Sequence, residues 1–450
     1  MSKLREWIHV VSHPGHKQEK FKPLRLLIQG AAGTGKSILI KALVTTIRRI
    51  FGSNNAIHVM APTGAAAFNV MGQTIHRTLA IDIFDANKEL GTFASKRLAE
   101  ILSSTVALIF DERSMISQDV LGAAEDHVAS TAHNMHHEHE NWGGIPIVIM
   151  VGDDYQLPPT NAPGAFDTMN PDVNTIKSNL HSRSNGCQEF RHFSTCVAIL
   201  KDQKRQHKQQ NRLKHILNHV KFGKTKLNDG IFLEKLRIAE LDPPTRQKIT
   251  EHSQTLRLYA NKQPMIDYNY NKLASECSPD NPVAIMKART VSQTGKNPVQ
   301  SHFTEETTPA AVTLCRNCKV QICGKNFRPE WGLFNGSMGT VIDIIFAPNE
   351  SPNEGNLPEY VIVDFPLYIG PEWSKGHKTV RLMLQCYLIL PAYKILTSYK
   401  HFFPFQTVCS HSNCYNGMST QMLSKILHSI KTIIWKNSTY FPRTKCWTHR

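Results

Sequence analysis

The run Gly30-Ala31-Ala32-Gly33-Thr34-Gly35-Lys36-Ser37 constrains this chain more than any other feature. It stands between LRLLIQG (24–30), which has the pattern of a buried strand, and SILIKALVTTIRRIF, which has the pattern of a helix. Strand, glycine-rich turn and helix in that order make a phosphate-binding loop. Glycines at 30, 33 and 35 let successive backbone N–H groups turn inward around phosphate oxygens, and the following helix adds its positive end. In such a loop Lys36 reaches the β and γ phosphates, and the Ser37 hydroxyl sits on Mg2+. All eight residues of the loop are therefore candidate contacts for ATP as substrate, with Mg2+ as cofactor.

Three further apolar runs, AIHVMAP (56–62), TVALIF (105–110) and IPIVIMV (145–151), read as buried strands ending in polar or glycine-rich sequence. Strands alternating with helical stretches indicate an α/β parallel sheet, in which ligands sit at the carboxyl ends of strands. Asp111 and Glu112 close the second of these runs. An acid there, on a strand expected beside that of the phosphate loop, holds the Mg2+ shell, and Glu112 is placed to take a proton from attacking water. The two motifs together indicate a nucleoside triphosphatase.

At 450 residues the chain has room for about three domains. Lys and Arg exceed Asp and Glu by 52 to 36, a net charge of +16, which favours polyanionic partners. No apolar run approaches the ~20 residues of a membrane span. MSKLREWIHVVSHPGH lacks the apolar centre of a secretory signal, so the ten cysteines are expected to be reduced. Cys315, Cys318 and Cys323 have no second CxxC partner and read as spare cysteines on an apolar strand rather than a zinc site. HNMHHEHE (133–140) reads as a solvated loop rather than a metal site. Polar sequence between 167 and 190 has the look of a linker; 200–224 is a basic helical stretch; 255–270 resumes strand-like character. From 311 to 370 the pattern is β-rich, with a turn at Asn335-Gly336, and from 396 onward no periodicity is legible.

APTGAAAFNVMGQTIH (61–76), DERSM (111–115), GDDYQLPP (152–159) and GLFNGSMGTVIDI (332–344) stand in the order and approximate spacing of the Pif-type superfamily-one DNA helicases, Helitron-like transposon helicases included. The chain resembles that family over roughly residues 24 to 345. The resemblance implies a P-loop NTPase fold with two RecA-like parallel-sheet domains and a small β-rich insertion. It assigns Gln156 the sensing of the γ-phosphate. Thr63 and Gly64 are implied as contacts to single-stranded DNA phosphates, and His76 faces the DNA path. Phe68 reads equally as a base contact or as core. LKDQKRQ (200–206) resembles the segment that carries an arginine finger, implying Arg205, offered from the second domain; a solvated face of a basic helix is the competing reading. RLYANKQPMIDYNYNKL (257–273) is similar to the segment that opens the second domain's sheet.

The expected layout is a first motor domain over 20–185, the start of a second over 190–310, its β-rich segment over 311–370, and an unassigned tail over 396–450. The family's late TIHKSQG-like motif is absent after LQCYLILPAYKI (384–395), as in a truncated or frame-shifted copy. Two functions follow. One is an ATP-dependent helicase moving 5′ to 3′ on single-stranded DNA, with roles in DNA repair, recombination or telomere maintenance. The other is a degenerate remnant that binds nucleotide and DNA without unwinding. A monomer is expected, in the nucleus or the mitochondrion.

Overall fold

The computed structural model describes residues 22–83, 85–131, 141–160, 162–165, 186, 189–193, 196–205, 210–251, 257–259, 261–287, 290–292, 311–322, 327–348, 358–372, 380–383, 398–400 and 405–407. Strands β1 (Leu24–Gly30), β2 (Ile57–Ala61), β3 (Gln73–Thr74), β4 (Ala107–Phe110), β5 (Ile147–Gly152) and β6 (Val197–Leu200) form one sheet in the order β3-β2-β4-β5-β1-β6. Every pairing in it is parallel. β4 and β5 lie at its centre and are buried throughout, as unbroken apolar runs require. Their alternate residues supply two cores. Leu108, Phe110, Val148 and Met150 point to the face that holds Trp142, while Ile109, Ile149 and Val151 point to the face covered by α1 (Lys36–Phe51). That period of two is the pleat of the strand.

The remaining helices of this half are α2 (Gly64–Asn69), α3 (Ile75–Thr78), α4 (Thr92–Leu102) and α5 (Gln118–Thr131). Beyond β6 come α6 (Asn211–Lys221), α7 (Leu227–Glu234), α8 (Pro243–Glu251) and α9 (Lys262–Glu276). The later strands are β7 (Ala284–Lys287), β8 (Thr290–Ser292), β9 (Ala311–Leu314), β10 (Lys319–Ile322), β11 (Met338–Ile345), β12 (Tyr360–Asp364), β13 (Val380–Met383), β14 (Ser398–Lys400) and β15 (Phe405–Thr407). Five of them form a sheet in the order β13-β12-β11-β10-β15, and all pairings among β7 to β15 are antiparallel. Its core includes Val320, Val341, Val361 and Val363 with Cys315 and Cys318. Asn335 and Gly336 occupy a turn closed by the Ser337 N–H on the Phe334 carbonyl at 2.9 Å, with Gly336 at φ 101.

Several expectations need correction. The first domain does not stop at 185, because β6 completes its sheet and Phe190 and Phe193 lie in its core, Phe193 with its ring 6.2 Å from Trp142. Two aromatic anchors inside polar sequence turn the end of the supposed linker into core. The basic stretch 200–224 is not one helix: β6 ends at Leu200 and α6 starts at Asn211. Residues 262–276 are helix, not strand; half-buried Met265 and buried Asn269 and Leu273 recur every fourth residue, while Ile266 and Tyr270 face outward. β4 is not beside β1, since β5 lies between them. The histidine-rich run 133–140, Cys323, the linker up to 185, residues 384–395 and all of the tail except the backbone of β14 and β15 lie outside the described residues.

Candidate functional site

The phosphate loop leaves β1 and enters α1 through Gly33 and Gly35, at φ 83 and φ 90. Gly35 caps α1 without a side chain, so the first N–H groups of the helix remain directed out of its end. Lys36 is 9% exposed, and its ammonium folds back to donate to the Gly30 and Ala31 carbonyls at 2.7 and 3.3 Å. Burial pulls its pKa below the ordinary lysine range; Glu112, Asp153 and Asp111 oppose that shift, and Arg205 adds to it. Lys36 and the two acids expected to act with it therefore lie close enough to feel one another's charge. Ser37 is exposed on the first turn of α1.

Asp111 follows β4 directly and is buried, its N–H bonded to the Met60 carbonyl at 2.8 Å. Burial first, then Glu112, pushes its carboxyl up to about 7. Burial also raises Glu112, against the pull of Lys36. Glu112 has φ 51, a strained backbone state for a residue with a Cβ and one that clusters at working sites. Asp111 Oδ1 and Glu112 Oε2 are buried with no hydrogen-bond partner. Two uncompensated carboxylate oxygens at a strand end suit a site built to receive a cation and a water.

Arg205 lies against the loop itself. A Cβ added at Gly33 would come within 2.5 Å of the Arg205 Cβ; the Lys204 N–H donates to the Gly33 carbonyl at 2.8 Å, and Gln203 Nε2 donates to that of Ala32 at 3.0 Å. The segment reaches this place by following β6 out of the first sheet, so the arginine comes from the same domain as the loop and not from the second. It lies in a loop rather than on a basic helix.

Gln156 sits half-buried in the turn after β5, where its N–H donates to the Asp153 carbonyl at 2.9 Å. Thr63 caps α2, its hydroxyl accepting the Ala66 N–H at 3.3 Å, and Gly64 is buried behind it. His76 is half-buried on α3, and burial, opposed by Asp82, lowers its pKa. Phe68 packs its ring 5.3 Å from Phe334 of the antiparallel half.

Sequence reasoning gave no role to four residues that hold this site in shape. Arg113 is 1% exposed and makes a two-pronged pair with Asp154 at 2.9 and 2.6 Å, while also donating to the Ile28 carbonyl at 3.0 Å and to the Gln29 side chain. Asp153 is 2% exposed and accepts from Gln29 Nε2 at 3.3 Å and from Lys221. The signal for Arg113, Asp153 and Asp154 was their charge at the ends of fully apolar strands. Nothing marked Lys221.

A glycine-rich loop at the end of β1, an acid pair at the end of β4, and a parallel sheet with β5 between them define a P-loop NTPase of RecA-like form. The match to known proteins is narrower. Residues 16–230 match the PIF1-like helicase family. Residues of this chain are 33% identical over 164 positions to ATP-dependent DNA helicase PIF1 of Saccharomyces cerevisiae, covering 36% of this chain and 18% of that protein. They are 25% identical over 333 positions to ATP-dependent DNA helicase RRM3 of the same yeast, covering 71% of this chain and 40% of that protein. The chain thus spans less than half the length of these relatives. The fold is shared with the crystal structure of Pif1 helicase from Candida albicans, with a TM-score of 0.51 at 21% identity, covering 91% of this chain and 84% of that one. A structure of two coordinating Pif1 helicases at forked duplex DNA aligns with a TM-score of 0.57 at 16% identity, covering 95% and 89%. Residues 16–230 are thus similar to PIF1-like helicases, the family whose motifs the sequence resembles.

Proposed function

We propose that this protein is an ATP-dependent DNA helicase that couples ATP hydrolysis to 5′-to-3′ travel on single-stranded DNA. The observation that carries the reading is the mutual electrostatic influence of Lys36, Asp111, Glu112 and Arg205 around the phosphate loop, in a chain whose residues 16–230 match a helicase family. Loop residues 30–37 hold the triphosphate through backbone N–H groups, and Lys36 leaves the loop carbonyls for the β and γ phosphates. Ser37 and Asp111 are the residues that would hold Mg2+, which when bound supplies neutralisation of the phosphate charge. Glu112, its proton affinity raised by burial, takes the proton of the attacking water. In this reading Arg205 stabilises charge on the transferring phosphate in cis, and Gln156 senses it.

The single strand passes over the start of α2 and over α3. Thr63 can donate its hydroxyl proton to a phosphate while its oxygen caps the helix, and His76 meets a base as a neutral ring. The net charge of +16 supplies the general attraction. Action as a monomer, a nuclear or mitochondrial workplace, and service in repair, recombination or telomere maintenance belong to this reading; the second parallel sheet that was expected does not, since among the described residues every pairing beyond β6 is antiparallel. A relative's structure is described as a complex with ADP-AlF3 and ssDNA, the ligand pair proposed for this chain.

The test is ATP turnover with and without single-stranded DNA, on wild type and Lys36→Ala, followed by strand displacement on duplexes with a 5′ or a 3′ overhang. We expect stimulation of several-fold, loss of turnover in Lys36→Ala, and displacement from the 5′ overhang alone. Turnover indifferent to DNA overturns the helicase reading; DNA binding without displacement returns the remnant.

A further inference from the structure

The ammonium of Lys221, the last residue of α6, reaches both carboxylate oxygens of Asp153 at 3.1 and 3.4 Å. It also lies 4.6 Å from the centre of the Tyr155 ring and 5.7 Å from that of Phe222, and those two rings meet edge to face at 5.0 Å. Lys221 is 19% exposed and Asp153 3% by side chain, so this pair is largely withdrawn from water. The groups it touches are those that shape the turn after β5. Asp153 accepts the Tyr155 N–H on Oδ1 at 3.3 Å and the Gln156 N–H on its carbonyl at 2.9 Å. The same carboxylate acts electrostatically on Lys36 and Glu112.

We infer that Lys221 is a positioning residue for the γ-phosphate-sensing turn: by neutralising Asp153 and capping Tyr155, it holds Gln156 in register with the phosphate loop and ties α6 to that register. Without the ammonium, Asp153 keeps Gln29 and the Tyr155 N–H as hydrogen-bond donors and Lys36 as a nearby charge, but loses its ion-pair partner, and a buried carboxylate so weakened relaxes toward water. The turn then moves, and Gln156 with it. α6 begins shortly after Arg205, so one stretch of chain touches the phosphate loop at Arg205 and the sensing turn at Lys221. A shift of α6 is felt at both places.

The inference rests on the helicase reading for what Gln156 senses, but not for the clasp itself, and two readouts keep these apart. The first is hydrogen exchange at the Tyr155 and Gln156 amides of the full chain without nucleotide. Lys221→Met accelerates it, and Lys221→Arg, which keeps the charge, leaves it as in wild type. The second is steady-state ATP turnover with single-stranded DNA, where displacing a catalytic turn by about an ångström lowers kcat in Lys221→Met by roughly 10- to 100-fold with little change in KM for ATP. Lys221→Arg restores it. Should Lys221→Met fail to fold, Lys221→Gln keeps a donor, loses the charge and is expected to shift both readouts the same way. Unchanged exchange and unchanged kcat in a folded, charge-free variant overturn the inference. Accelerated exchange in a protein whose wild type hydrolyses no ATP keeps the clasp and removes the helicase reading.

Discussion

Glu125, 7% exposed on α5, accepts the Trp142 N–H on Oε1 at 2.9 Å. Burial pushes its carboxyl up to about 7; the Trp142 N–H works against this, and Glu189 adds to it. Glu189 is itself raised by burial and accepts from Asn141 Nδ2 at 2.7 Å and Trp142 Nε1 at 2.9 Å. A carboxyl whose folded pKa lies above its unfolded value binds more protons when folded, so the protein loses stability as pH rises between the two values. The penalty is absent below the unfolded value near 4.5 and complete above about 7. Glu125→Gln removes the ionisation and is expected to flatten this slope, gaining on the order of 1–3 kcal/mol at about pH 8 and little at about pH 4. Urea unfolding at the two pH values measures it; equal slopes in the two proteins would refute the assignment to Glu125. Asp111 is raised for the same reason and keeps part of the slope in both proteins. None of this was legible beforehand, because a glutamate on an amphipathic helix reads as solvated until Trp142 and Glu189 fold over it.

Arg113 belongs to the scale of elements, since it leaves the end of β4, pairs with Asp154 after β5 and bonds to Ile28 and Gln29 on β1. It crosses three strands with one guanidinium. Gly152 gives it room: a Cβ there would fall 2.7 Å from the Arg113 Cγ. Arg113→Met leaves Asp154 partly open to water but strands the buried Ile28 carbonyl, and is expected to cost about 1–3 kcal/mol. The fall in urea midpoint tests it, and a loss within ~0.5 kcal/mol of zero would show that the pair contributes nothing net. At this scale the sequence was readable where burial is periodic. β4 and β5 are uninterrupted apolar runs, β1 and β2 are mostly apolar, and all four were expected. β6 was not: its four residues are all apolar, but so short a run does not separate strand from helix, and as an edge strand it leaves Val197 and Ile199 half exposed. α9 was mistaken because its tyrosines and isoleucine favour strands when counted singly, while the buried positions recur at helical spacing.

Across the whole molecule, the parallel and antiparallel halves meet at α2 and α3. Phe68 of α2 meets Phe334, and Arg77 reaches Glu330 at 3.5 Å. The ion pair is nearly half exposed on both sides and contributes little; the ring pair, with Phe334 4% exposed, is the stronger of the two. Phe334→Ala is expected to loosen the junction by about 1 kcal/mol beyond its area burial, read as faster hydrogen exchange at Phe68 and Asn69, whereas Glu330→Gln leaves that exchange unchanged. Affinity for single-stranded DNA is expected to fall steeply with salt, with log K linear in log salt and each phosphate contact contributing a slope of about −0.7. A flat salt response would mean that the excess positive charge does not face the strand.

Sequence alone determined the phosphate loop and the acids that follow β4, because those groups are set by consecutive residues at strand ends and need only local geometry to exist. Tertiary structure decided which strands became neighbours, that Arg205 approaches the loop from its own domain, and that Lys221 answers Asp153. These pairings join residues far apart in the chain. No periodic pattern encodes them, because a charge reveals its partner only after the intervening elements have packed.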